Sequence, residues 1–265
     1  MNYMEKKYKL TDETIEVFDK TLHRIEALKD FSYIKKGDKG GFIEKEENLS
    51  HFGNSWVYDN AKVLDNAIVK DDAAVFNDAV VFDNATICED AKVFNNAVVC
   101  DFAIVCNNAK IHNNAIISGH AKIYGYAHVL GNAKVRDNVQ VFGDSILRDN
   151  VKLYDDVVIC NYSMICGNVI ICNNAVIKDV KISGDIIISH DAKISSNKDY
   201  IVFKNWWSSG RYFTWTRSNN MWTVGCFYGT GKKLIEKAYK DSELSGNEYK
   251  RIVEYVNSIN NCPEN

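Results

Sequence analysis

From Val57 to Ile177 an aliphatic residue stands at every sixth position, and two places before each of them is Ala, Ser or Val. The beat opens Val57, Val63, Val69, Val75 and closes Leu153, Ile159, Ile165, Ile171, Ile177. The small places run from Ser55, Ala61 and Ala67 to Ala175, with Val or Ser at 139, 145, 151, 157, 163 and 169. A short fixed period marks a solenoid, and six residues per repeat predicts a parallel β-helix. Three hexads close one triangular coil, so residues 18 apart in sequence stack at the strand spacing of about 4.8 Å. Ile182, Ile188 and Ile194 resume the beat after a one-residue deletion and add a further coil. The aliphatics are expected to fill the core in ladders, and the residue before each strand is small because the corner is tight. Corner pairs such as Asp59-Asn60, Asn77-Asp78, Asn95-Asn96 and Gly131-Asn132 suit turns, because Asn, Asp and Gly tolerate left-handed φ or bond to their own backbone. Most of the acids are therefore structural.

The beat is absent from both flanks. Residues 1–53 predict an N-terminal β cover, with strands at 7–10, 14–18 and 22–28 and a glycine-rich turn at 36–41. Such a cover hides the core and strand edges that a bare solenoid end exposes. Residues 54–197 form the helix proper. Residues 198–265 predict a small α+β unit, with strands at 200–204, 211–217 and 221–227 and helices at 231–241 and 247–260. The fold class is an all-β solenoid, a parallel β-helix of hexapeptide repeats with this C-terminal unit appended.

Composition changes the picture only by exclusion. A net charge of −3 gives no general pull towards extended nucleic acid or acidic membranes, so an anion site must come from a local cluster. No run approaches the roughly 18 apolar residues of a membrane helix, and the opening MNYMEKKYKL lacks the apolar stretch of a signal peptide. A cytoplasmic protein is expected. The eight cysteines are read as reduced thiols, since six of them share one type of position in the repeat. Cys160, Cys166 and Cys172 fall on three different faces, which cannot converge on one ion, so no metal site is expected.

The stretch from Leu22 to Leu28, the strings Gly37-Asp-Lys-Gly-Gly-Phe-Ile-Glu44, Asn48-Leu-Ser50 and Gly53-Asn-Ser-Trp-Val57, and the hexads that follow resemble the YdcK-like hexapeptide-repeat proteins of bacteria and their phages. The tail strings Thr214-Trp-Thr-Arg217 and Gly225-Cys-Phe-Tyr-Gly-Thr230 are similar to the C-terminal unit of phage-borne members. The resemblance implies a left-handed helix, against the usual right-handed crossover. It often comes with a transferase label that rests on fold analogy with acyltransferases. It brings no catalytic residues with it.

Hexapeptide acyltransferases place a general-base histidine at a cleft between subunits and usually break the repeat with a long loop. This repeat has no such loop. His112, His120 and His128 are the alternative catalytic candidates, and each reads first as a surface or interface histidine. Apolar outward pairs such as Val80/Phe82, Val98/Cys100 and Ile104/Cys106 predict a covered surface, hence a homotrimer. Lower on the helix the outside turns basic and aromatic: Lys110, Lys122, Tyr124, Lys134, Arg136, Arg148, Lys152 and Tyr154 are the candidate ligand-binding residues. Cations beside aromatics hold a phosphate and stack a base. Trp206, Trp207, Trp215 and Trp222 read as the core of the C-terminal unit, with Arg217 as its one polar member of interest. The expectation is a non-enzymatic oligomeric binding or scaffold protein without a cofactor. One version is a phage-type sponge that sequesters a nucleotide-like immune signal between subunits; the competing class is an acyl or nucleotidyl transferase.

Overall fold

The computed structural model describes residues 5–260, whose hexads wind into a left-handed parallel β-helix. Each of its three faces is a ladder of short strands one coil apart. Face one runs from Lys62–Val63 to Ile187–Ile188, face two from Trp56–Val57 to Lys181–Gly184, and face three from Ile68–Val69 to Lys193–Ile194. The pairing Lys92↔Lys110 and Val93↔Ile111 is the predicted 18-residue offset. Beyond the deletion the offset drops to 17, with Met164 opposite Lys181. Every beat residue from Val57 to Ile188 is wholly buried, as is Ala at each small place from Ala61 to Ala133.

The corners do more than turn the chain. Their first residue sits in the left-handed region, as at Asp59 (φ 51°), Asp83 (57°) and Asn161 (59°). Its side chain then accepts the backbone N–H of the equivalent residue one coil on. Asp59 takes Asn77 N at 2.9 Å, Asp101 takes Gly119 N at 2.8 Å and Asp155 takes Asn173 N at 2.9 Å. Second corner residues build an amide ladder in which Asn96, Asn114, Asn132 and Asn150 each donate Nδ2 to the next Oδ1, ending on Asn168, at 2.9–3.3 Å. At Gly119 a Cβ would lie 2.5 Å from Asp137 N, so this corner admits only glycine without displacement.

The N-terminal segment seals the first coil. Strands β1 (Tyr8–Val17) and β2 (Lys20–Ala27) form an antiparallel hairpin, β3 (Lys39–Ile43) pairs antiparallel with β2, and β3 then pairs parallel with the first strand of face one through Phe42↔Lys62. The two strands predicted at 7–10 and 14–18 are one, interrupted by a register shift between Leu10 and Thr14. Tyr8, Ile25, Leu49 and Trp56 join the helical core and close its end. Gly40 and Gly41 permit the close approach: a Cβ would lie 2.5 Å from Val57 O at the first and 2.6 Å from Ala61 O at the second. The hairpin also bends over the outside of face one, where Leu22, Phe42 and Leu64 are buried together with Ile15, Val17, Val80 and Phe82 packed against them. Phe18 meets Phe82 with ring centres 5.8 Å apart. The chain itself thus covers the Val80/Phe82 pair for which the sequence called on a second subunit. Val98, Cys100 and Ile116 beyond it stay half-exposed.

The C-terminal unit closes the other end. Strands Tyr200–Lys204, Tyr212–Thr216, Met221–Val224 and Phe227–Gly229 form an antiparallel sheet, followed by α1 (Gly231–Asp241) and α2 (Glu243–Asn260). The strand predicted at 221–227 is two strands, because Gly225 takes φ 56° and turns the chain. Helix α2 starts four residues earlier than predicted: Ser242 caps it by accepting Ser245 N at 3.1 Å. Trp215 and Trp222 are buried and Trp207 packs against their cluster, whereas Trp206 is 74% exposed and does not belong to this core. Arg217 is occupied locally, its Nε donating to Lys198 O at 3.1 Å. Tyr200 and Val202 pack on the helical core, and the His190 ring stacks on the Tyr228 ring. Among the described residues no helix is long and apolar enough to cross a membrane.

Candidate functional site

Two outward rows run the length of face one, one just before and one just after each buried aliphatic. Over Val80, Phe82, Val98, Cys100 and Ile116 they are apolar; further along they become Lys134 and Lys152 in one row and Ser118, Arg136 and Tyr154 in the other. Parallel pairing sets Lys134 directly beside Lys152, a juxtaposition of like charges that costs stability unless something neutralises it. The Arg136 guanidinium lies 4.1 Å from the centre of the Tyr154 ring. With Ile116 these side chains line a shallow depression of about 290 Å³. Among the described residues Lys134, Arg136 and Lys152 make no ion pair with a carboxylate. The arrangement offers an anion three cations, one of them resting on an aromatic ring.

The other four candidate ligand residues lie elsewhere on the same chain. Lys122 and Tyr124 are on face three, where Tyr124 stacks on Phe142 with ring centres 4.8 Å apart and burial raises its hydroxyl pKa. Lys110 and Arg148 are on face two, and Arg148 Nε lies 3.8 Å from Asp149. One chain therefore assembles half of the predicted cluster, because the three faces of a triangular helix point apart.

The histidines divide in the same way. His112 and His128 are neighbours on face two with ring centres 6.5 Å apart, and burial, reinforced by Lys110, holds His128 below the usual imidazole pKa. His120 is on an exposed corner, stacked on Phe102. His112 ends a feature the sequence reading missed, an aromatic ladder of Tyr58, Phe76, Phe94 and His112 with successive ring centres 6.3, 4.7 and 4.6 Å apart. The signal was there, since these residues directly follow beat positions on one face at the coil spacing.

The seven described cysteines are free thiols; Cys262 lies outside the described residues. Ligand atoms of Asp83, Cys100 and Asp101 lie within 4.8 Å of one another. Both carboxylates serve the corner ladder, Asp83 accepting Asp101 N at 3.2 Å and Asp101 accepting Gly119 N at 2.8 Å. Burial pushes the Cys100 thiol up to about 12, which keeps it protonated and a poor metal ligand.

No protein-family model matches the chain, and no curated protein does. Its class rests on its own geometry: a hexapeptide-repeat β-helix closed at both ends, with a small C-terminal helical and antiparallel-sheet unit.

Proposed function

We propose that this chain is a non-enzymatic binding scaffold that holds a small phosphate-bearing ligand of the nucleotide type at the Lys134, Arg136, Lys152 and Tyr154 depression. The observation that carries this reading is the convergence there of three cations, without acidic partners among the described residues, beside an aromatic ring. Guanidinium and ammonium groups bind phosphate oxygens, and a ring face stacks a base. Assembly as a homotrimer completes the site, since a rotational interface apposes different faces of neighbouring copies and brings Lys122 and Tyr124, or Lys110 and Arg148, towards face one. The resemblance to YdcK-like proteins of phages extends the reading to sequestration of a nucleotide-like host immune signal.

The test is native mass spectrometry of the purified protein before and after incubation with a bacterial small-molecule extract. A trimer that carries a nucleotide and returns it unchanged supports sequestration. Binding undiminished in Arg136→Ala and Lys152→Ala removes the assignment of the site, and a monomer removes the shared cleft. The transferase reading has one observation of its own, the pairing of His112 with a His128 whose burial favours the neutral imidazole, the form a general base needs. It predicts turnover of coenzyme A or a nucleotide sugar that is lost in His112→Asn or His128→Asn, with His120→Asn as the separate corner test.

A further inference from the structure

A second depression, of about 350 Å³, lies in the C-terminal unit between the 205–211 loop and helices α1 and α2. Its floor is polar and buried: Asn205, Ser245 and Tyr249 are 5%, 8% and 7% exposed. Asn205 Nδ2 donates to the Tyr249 hydroxyl at 3.2 Å, while its Oδ1 has no partner among the described residues. Turning the amide over would satisfy the oxygen from that hydroxyl and orphan the amine instead, so one end of the group is unpaired either way. The loop imposes this placement, because Asn205 N donates to Arg211 O at 2.7 Å and Gly210 N donates to Asn205 O at 2.8 Å. Native folds rarely leave a buried amide half-used without a reason.

The mouth of the depression carries Arg211, Lys237 and Asp241, none of which makes an ion pair among the described residues. Phe227 supplies an apolar wall, with Lys237 Nζ 5.7 Å from its ring centre. Two cations, one anion and, with the amide oriented as here, a buried acceptor together select a ligand that is both acid and donor. A bare phosphate would set its negative charges against Asp241, and a simple amine would meet two positive charges.

We infer that this pocket binds a free amino acid with an apolar side chain. Its carboxylate takes Arg211 and Lys237, its ammonium takes Asp241 and the Asn205 oxygen, and its side chain lies against Phe227. The volume falls in the range of small-molecule sites, about 300–1,000 Å³.

The experiment is calorimetric titration of the full chain with each of the twenty amino acids in turn, with inorganic phosphate and methylamine as controls. One or a few apolar amino acids are expected to bind, and neither control. Arg211→Met and Asp241→Asn each remove one charge-assisted hydrogen bond at an exposed position and should weaken binding about 10- to 100-fold. Asn205→Leu should abolish it; if that variant fails to fold, the two mouth variants decide alone. No binding by any amino acid at millimolar concentration overturns the inference. So does phosphate binding of equal strength, or binding that survives both mouth substitutions. Arg136→Ala should leave this titration unchanged, which separates the pocket from the face-one site.

Discussion

Arg136 lies over the ring of Tyr154, the residue exactly one coil further along face one, with its guanidinium carbon 4.1 Å from the ring centre. At an exposed site such a contact is worth about 0.5–1 kcal/mol. A double-mutant cycle of Arg136→Ala and Tyr154→Ala, read by urea unfolding, should return a coupling of that size. The single substitutions should cost little stability, so lost nucleotide binding in them would report the site and not the fold.

Leu22 tests the hairpin's hold on the helix. It is wholly buried against Phe42 and Leu64, where β2 lies over the outside of face one. Leu22→Ala should cost about 2–5 kcal/mol and raise dye binding to the uncovered Val80/Phe82 pair. A loss well under this range would show that the hairpin rests on face one without contributing to its stability.

Gly246 is the tightest glycine of the C-terminal unit, since a Cβ there would lie within the van der Waals envelope of the Tyr239 ring. Helix propensity alone favours alanine over glycine by about 1 kcal/mol. Overpacking of about 1–3 kcal/mol should nevertheless win, so Gly246→Ala is expected to lower the thermal midpoint followed by tryptophan fluorescence. Adding Tyr239→Ala should recover much of the loss, which a purely helical effect would not allow.

Lys7 carries a pH dependence. It is 1% exposed, its Nζ donates to Ser55 O at 2.8 Å, and burial lowers its pKa to about 8. In the unfolded chain the group titrates near 10.4. Between these values the unfolded state binds more protons, so the Lys7 contribution to stability rises with pH from about 8 to about 10.4. Below that window the buried charge costs the fold up to about 3 kcal/mol. Urea unfolding of the wild type and Lys7→Met across the window should show the wild type gaining on the variant as pH rises. A constant difference would mean that Lys7 titrates normally.

Much of the architecture was legible in the chain because the repeat enforces its own register. A strand of two residues with one buried side chain has no alternative placement once its neighbours 18 residues away share the pattern, and the buried beat from Val57 to Ile188 follows directly. Lys134 beside Lys152 and Arg136 over Tyr154 came from the same arithmetic. The arithmetic is silent where the period stops. The reach of the hairpin to Phe82, the turn at Gly225 and the early start of α2 at Glu243 depend on contacts between segments with no common spacing.

The sequence by itself determined the helix, its coil length, the left-handed corner positions and the rows of side chains on each face, since each follows from local periodicity. Only the tertiary structure decided which rows are covered, that corner acids bridge successive coils, and that the eight basic and aromatic candidates divide among three faces. It also placed Asn205 on the floor of a pocket whose mouth residues, Arg211 and Asp241, are 30 positions apart in the chain. Cover and convergence arise when separate segments meet, and no single stretch of chain records where they will.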